Sequence, residues 1–136
     1  MWIIHSFIAM FSLSLMVLCF KKLTDMGVLP EIINLYFFSI SSVAFLIFAV
    51  LKNTDLKIQT NCLWVFVPLT LMSLSYNYYS ILAIRSAPNP GYSEAIKSFY
   101  VVIVMIGSFL IFGSELSAKK VIGILMTVAG LFLVAL

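Results

Sequence analysis

Asn89-Pro90-Gly91-Tyr92-Ser93-Glu94-Ala95-Ile96-Lys97-Ser98 opens the fourth of five apolar runs and holds the only acid and base that enter one. Asn89 followed by Pro90 reads as the N-cap and first residue of a helix. The amide side chain can accept from an otherwise orphaned backbone N–H, and proline lacks a donor that would go unused there. From that start Glu94 lies ~6 Å and Lys97 ~10 Å along the helix. Their i, i+3 spacing lets the two side chains touch. In the bland reading Glu94 only complements the positive end of the helix and Lys97 reaches back to the headgroups; a cap at Ser93 would put Glu94 at the membrane surface and favour it. The alternative is a Glu94 that faces a water-filled cavity, binds a cationic group or carries a proton, and has its pKa tuned by Lys97.

Outward from this stretch the chain is oil or short hinge. Of 136 residues, 63% are apolar and 10% charged, and the mean hydropathy is +1.17. A soluble domain needs about 25% charged residues to cover its surface, so the chain is expected to be an integral membrane protein. A net charge of +3 does not indicate a nucleic-acid partner. The basic residues stand singly or in pairs between apolar runs, where juxtamembrane Lys and Arg belong.

The spans are expected at about residues 2–20, 32–51, 62–84, 90–112 and 118–136. About 20 apolar residues cross ~30 Å of hydrocarbon as a helix. A cleaved signal peptide would want basic residues before the first run; Lys21 and Lys22 follow it. Gly27 marks the first hinge, and Pro30 suits the first position of the next helix. The runs lack the period-two alternation of barrel strands, so the class is all-α, polytopic. The links are too short for a folded head outside the membrane, and no enzyme activity is expected.

The third run is the least uniform. Thr70, Ser73, Asn77 and Ser80 recur at helical steps and share one face, flanked by Tyr76 and Tyr79. That face either bonds to a neighbouring helix or lines a polar path, with the tyrosines as a cation-attracting wall or an interfacial belt. Pro68 removes one backbone donor there. Cys19 and Cys62 fall at opposite membrane faces, which excludes an intrachain disulfide.

Five spans put the termini on opposite sides. Lys52, Lys57, Lys119 and Lys120 fall on the N-terminal side; Lys21, Lys22 and Arg85, with Lys97 if it snorkels, fall on the other. The positive-inside rule needs an excess. The near balance leaves dual insertion open, and two opposed copies would form an inverted repeat of the kind in which transporters build a midplane site.

From Leu82 onward the sequence resembles the EamA-type domain of the drug/metabolite transporter (DMT) superfamily. The resemblance rests on Leu82-Ala83-Ile84, Ala87-Pro88, Gly113-Ser114-Glu115-Leu116-Ser117, Ile122-Gly123 and Ala129-Gly130. Two departures stand out: Ser114 occupies the place of the family's usual Glu, and the proline midway along the fourth helix is missing, near Val101 or Val102. The resemblance implies a single EamA-like transmembrane domain over 1–136, equivalent to half of a ten-helix inverted-repeat fold. It further implies a half-size permease for small metabolites or drugs, acting by alternating access as an antiparallel homodimer or beside a paralogous half. The small multidrug resistance proteins fit less well, since they have four helices and an acid in the first.

The candidate substrate or proton pathway comprises Glu94, Lys97, Asn77, Ser73, Tyr79, His5 and Asn34. His5 and Asn34 are shallow, and interfacial hydrogen bonding is their bland alternative. Gly123, Thr127 and Gly130 form a small-residue stripe suited to close packing or subunit contact. No phosphate loop, catalytic constellation or metal-ligand cluster is present, so neither metal nor cofactor is expected. A non-transporting subunit that stabilises a partner and a lipid-carrier flippase are the alternative functions. The bacterial inner membrane is the expected location.

Overall fold

The computed structural model describes residues 1–115 and 117–135. Leu116, part of the turn motif quoted above, and Leu136 lie outside the described residues. The described residues form helices and connecting turns: α1 (Trp2–Asp25), α2 (Pro30–Leu51), a short 3-10 turn (Thr60–Cys62), α3 (Leu63–Ser86), α4 (Pro90–Lys97), α5 (Tyr100–Phe112) and α6 (Ala118–Ala135). Three helical stretches, Trp2–Asp25, Pro30–Leu51 and Pro90–Phe112, are long and apolar enough to cross a membrane by length and composition. The chain is therefore an all-helical, polytopic membrane protein, as its composition implies.

Several boundaries differ from expectation: α2 begins at Pro30 rather than Ile32, α3 is shifted to Leu63–Ser86, and α1 and the fourth run differ more. The first helix does not stop at Phe20 but continues through the supposed hinge to Asp25. The added turn is held by a Lys21–Asp25 ion pair at 3.0 Å, spaced i, i+4. It stops at Gly27, whose φ of +83° is open to glycine at little cost. There the N–H of Val28 reaches back to the Leu23 carbonyl at 3.1 Å, closing the helix in a Schellman motif.

The fourth run, expected as one helix over 90–112, is one helical stretch of spanning length with an interruption inside it. It breaks at Ser98 and Phe99 into α4 and α5, although no proline is present. Ser98 Oγ donates to the Ala95 carbonyl at 2.6 Å, and the N–H groups of Phe99, Val101 and Val102 turn to carbonyls three residues back. Side-chain competition for helix carbonyls and a tightened 3-10 turn replace the regular ladder. The interruption lies at Ser98 and Phe99, just before the Val101 and Val102 positions where the family's proline is missing.

The chain divides into two compact units, residues 1–86 and 87–136. In the first, α1, α2 and α3 pack together. Its core is Val17 and Phe20 of α1, Ile33 of α2, and Ile81 and Ile84 of α3, with Val28 and Phe37 packed against it. These positions gather where α1 ends, α2 begins and α3 ends. Phe20 and Phe37 meet edge to face at 5.6 Å, a favoured aromatic geometry. Away from that end the side chains are exposed: Trp2 through Leu15 on α1, Val43 through Phe48 on α2, and Leu63 through Met72 on α3. Surface this apolar suits lipid tails rather than water.

In the second unit α4 packs on α6. α5 buries no residue. It ends at Gly113 in the left-handed region, with φ +62°, and the Gly113 N–H donates to the Phe109 carbonyl at 3.1 Å. The family-like glycine of the turn thus serves as the helix stop.

Candidate functional site

In the first unit a groove of about 780 Å³ opens between α2 and α3. From α2 it takes Glu31, Asn34, Leu35, Phe38 and Ser39, spaced i, i+3, i+4, i+7 and i+8, as one helical face must be. From α3 it takes Leu69, Thr70, Ser73 and Leu74. The wall is mostly apolar, interrupted by two hydroxyls from α3 and by a carboxylate, an amide and a hydroxyl from α2.

Glu31 is not among the candidates the sequence singles out. Counting the second run from the first apolar residue, Ile32, left the acid outside it. The helix begins one residue before Glu31, at Pro30, with Leu29 in extended conformation as the cap. Glu31 therefore enters the helix, and the opening stretch is not alone in bringing an acid into an apolar run. The signal was present in Pro30, whose preference for the first helical position places Glu31 in the first turn.

The Tyr78 hydroxyl donates to Glu31 Oε1 at 3.3 Å, which anchors the acid to α3. Tyr79 stacks edge-on against Tyr78, with ring centroids 5.5 Å apart, and is itself 66% exposed. The side-chain oxygen of Asn34 is buried and accepts no hydrogen bond from any described residue. An amide oxygen in that state forgoes a bond it would have had in water.

The four polar residues expected on one face of the third helix divide by depth. Thr70 and Ser73 line the groove. The Asn77 amide bonds its own helix, donating to the Ser73 carbonyl at 2.9 Å. Ser80 is buried beside the core. Helical spacing put them on one face; the convergence of α1 and α2 decides which of them remain open.

In the second unit the start of α4 is unambiguous. Asn89 is the cap, and its side-chain oxygen accepts from the Gly91 N–H at 2.8 Å, with Pro90 at the first position. Ser93 lies inside the helix, buried, with its hydroxyl oxygen making no hydrogen bond to a described residue. Glu94 and Lys97 form an ion pair, each side chain partly buried. Lys97 also marks the last turn of α4, where a cation opposes the negative end of the helix.

The remaining candidates stand apart. His5 is exposed on the first turns of α1. Gly123, Thr127 and Gly130 are exposed on α6; a Cβ added at either glycine would meet nothing within 4 Å. The Thr127 hydroxyl donates to the Gly123 carbonyl at 3.0 Å. Cys19 and Cys62 are both free thiols.

The EamA-like transporter family matches the chain over residues 1–136. Comparisons with the curated proteins and with the solved structures returned no match.

Proposed function

Because the chain belongs to the EamA-like transporter family, we propose that it is a half-size permease for small metabolites or drugs. It works by alternating access, paired with a second copy or a paralogous half inserted the other way. Its place is the lipid bilayer, as for any membrane transporter, and the bacterial inner membrane is the proposed location.

The observation that carries this reading is the groove between α2 and α3. Polar groups inside membrane helices are costly and persist where they serve a path or a site. A subunit that only stabilised a partner would need packing surfaces, not a groove of about 780 Å³ with a carboxylate, an amide and hydroxyls in its wall. The volume falls in the range of ~300–1,000 Å³ usual for small-molecule sites. Asn34 and Ser73 belong to the pathway on this reading, and Glu94 with Lys97, in the second unit, is proposed separately as an ionisable pair needed for transport.

Pairing is supported by the nearly even distribution of Lys and Arg between the two sides and by the exposed small-residue stripe of Gly123, Thr127 and Gly130. Small residues let helix backbones approach closely across an interface. Two opposed copies would restore the inverted repeat around a shared path.

Two measurements test the proposal. The purified full chain in liposomes, offered a panel of labelled small metabolites and drugs, should move at least one of them. No flux, together with copurification of one membrane partner, would support the non-transporting subunit instead. Reporter fusions at both termini should find each end on both sides of the membrane. A single fixed orientation would reject the antiparallel homodimer and leave the paralogous half as the partner.

A further inference from the structure

The groove between α2 and α3 has a charge asymmetry. Among the described residues of its wall, Glu31 is the only ionisable one. The ion pairs among the described residues are Lys21–Asp25 and Lys97–Glu94, and neither involves Glu31. What Glu31 has is the Tyr78 hydroxyl at 3.3 Å, which steadies the carboxylate without neutralising it. Glu31 is exposed at the edge of the groove, so the charged end of a ligand can reach it, and the apolar wall beside it excludes water from the pair once the ligand is seated.

One helical turn further along α2 stands a second acceptor. Asn34 follows Glu31 by three residues, a rise of ~4.5 Å, and its buried side-chain oxygen accepts no hydrogen bond from a described residue. Both acceptors belong to residues of the groove wall. Beyond them the wall is Leu35, Phe38, Leu69 and Leu74, which offers dispersion contact and no charge.

We propose that this groove is the binding site for an amphipathic organic cation, with Glu31 as its counter-charge and the Asn34 oxygen as a supporting acceptor. The inference rests on the transporter reading of the groove and adds the class of ligand. The ammonium group sits against Glu31, and an apolar or aromatic body lies along the leucines and Phe38. An anion would meet a carboxylate and, among the described residues of the wall, no Lys, Arg or His. A neutral ligand of the same shape would gain the apolar contact but leave the carboxylate charge unanswered. Thr70 and Ser73 add hydroxyls that can turn either way, so they accommodate polar atoms on the ligand without selecting its charge.

The test is equilibrium binding to the purified full chain in detergent, using three probes of similar body. These are benzylammonium, whose N–H groups can donate to both acceptors, its uncharged carbon isostere ethylbenzene, and benzenesulfonate. The cation should bind about tenfold or more tightly than the isostere, and benzenesulfonate should bind least, as a charge-assisted contact requires. Glu31→Gln should remove that advantage, and Asn34→Leu should reduce it by about threefold. Equal affinity for the cation and its isostere in the unaltered chain would overturn the proposal, and this comparison does not depend on any variant folding. An undiminished preference for the cation in a folded Glu31→Gln protein would also overturn it. Flux of a neutral or anionic solute in liposomes, with no cation preference in detergent, would reject the cation site while leaving the permease standing. Cation preference without flux would do the reverse.

Discussion

The Tyr78 hydroxyl of α3 donates to the Glu31 carboxylate of α2 at 3.3 Å, joining two helices whose residues are far apart in the chain. The contact lies at the exposed edge of the groove, so water competes for both groups and the net stabilisation is small. Tyr78→Phe should lower the unfolding midpoint by no more than about 2 °C. It should leave Glu31 able to bind a cation. A large loss of stability would mean that this bond holds α2 to α3, contrary to its exposure.

Ile81 and Ile84 are 0% exposed and sit where α1, α2 and α3 converge. Lipid tails are as apolar as a protein interior, so removing methyl groups here forfeits packing rather than water exclusion. Ile84→Ala should therefore fall at the low end of the usual range, costing about 2 kcal/mol. Leu110→Ala, at a position 73% exposed on α5, should change stability by less than about 0.5 kcal/mol. Thermal unfolding of both variants in one detergent makes the comparison, and equal effects would remove the assigned core.

Asn89 caps α4 through the Gly91 N–H. Asn89→Ala should cost about 1 kcal/mol, while Asn89→Asp should retain most of the cap. Gly91→Ala should weaken it too, because the added Cβ would lie 3.1 Å from the Asn89 side-chain oxygen. Hydrogen exchange at the Gly91 amide reads the cap directly: protection should fall in Asn89→Ala and persist in Asn89→Asp.

Glu94 is ion-paired with Lys97 and partly buried. On the permease reading, Glu94→Gln should abolish flux while expression and oligomeric state stay as before. Undiminished flux in liposomes would take Glu94 out of the mechanism and leave it as a structural partner of Lys97. Asn89 as cap puts Glu94 at the fifth position of α4, beyond its first turn.

Much of this was legible in the residues. Asn89-Pro90 marked a helix start because capping and the missing proline donor are local matters, decided within a few residues. The break after Lys97 was less legible, because a serine bond to a carbonyl three residues back competes with the helix only weakly. Ser98 gives no louder signal than the serines within α2. Glu31 was missed because apolarity defined the run, whereas backbone geometry at Pro30 defined the helix.

Composition and periodicity, summed along one chain, are enough for the membrane class, the all-helical fold and the helix faces, and the short motifs from Leu82 onward for the family. Only the tertiary structure decided what each face meets. Thr70 and Ser73 open on a groove while Ser80, on the same face, is buried beside the core, and Glu31 meets Tyr78. Helical spacing specifies which residues point together; what stands opposite them comes from segments dozens of residues away, brought there by packing.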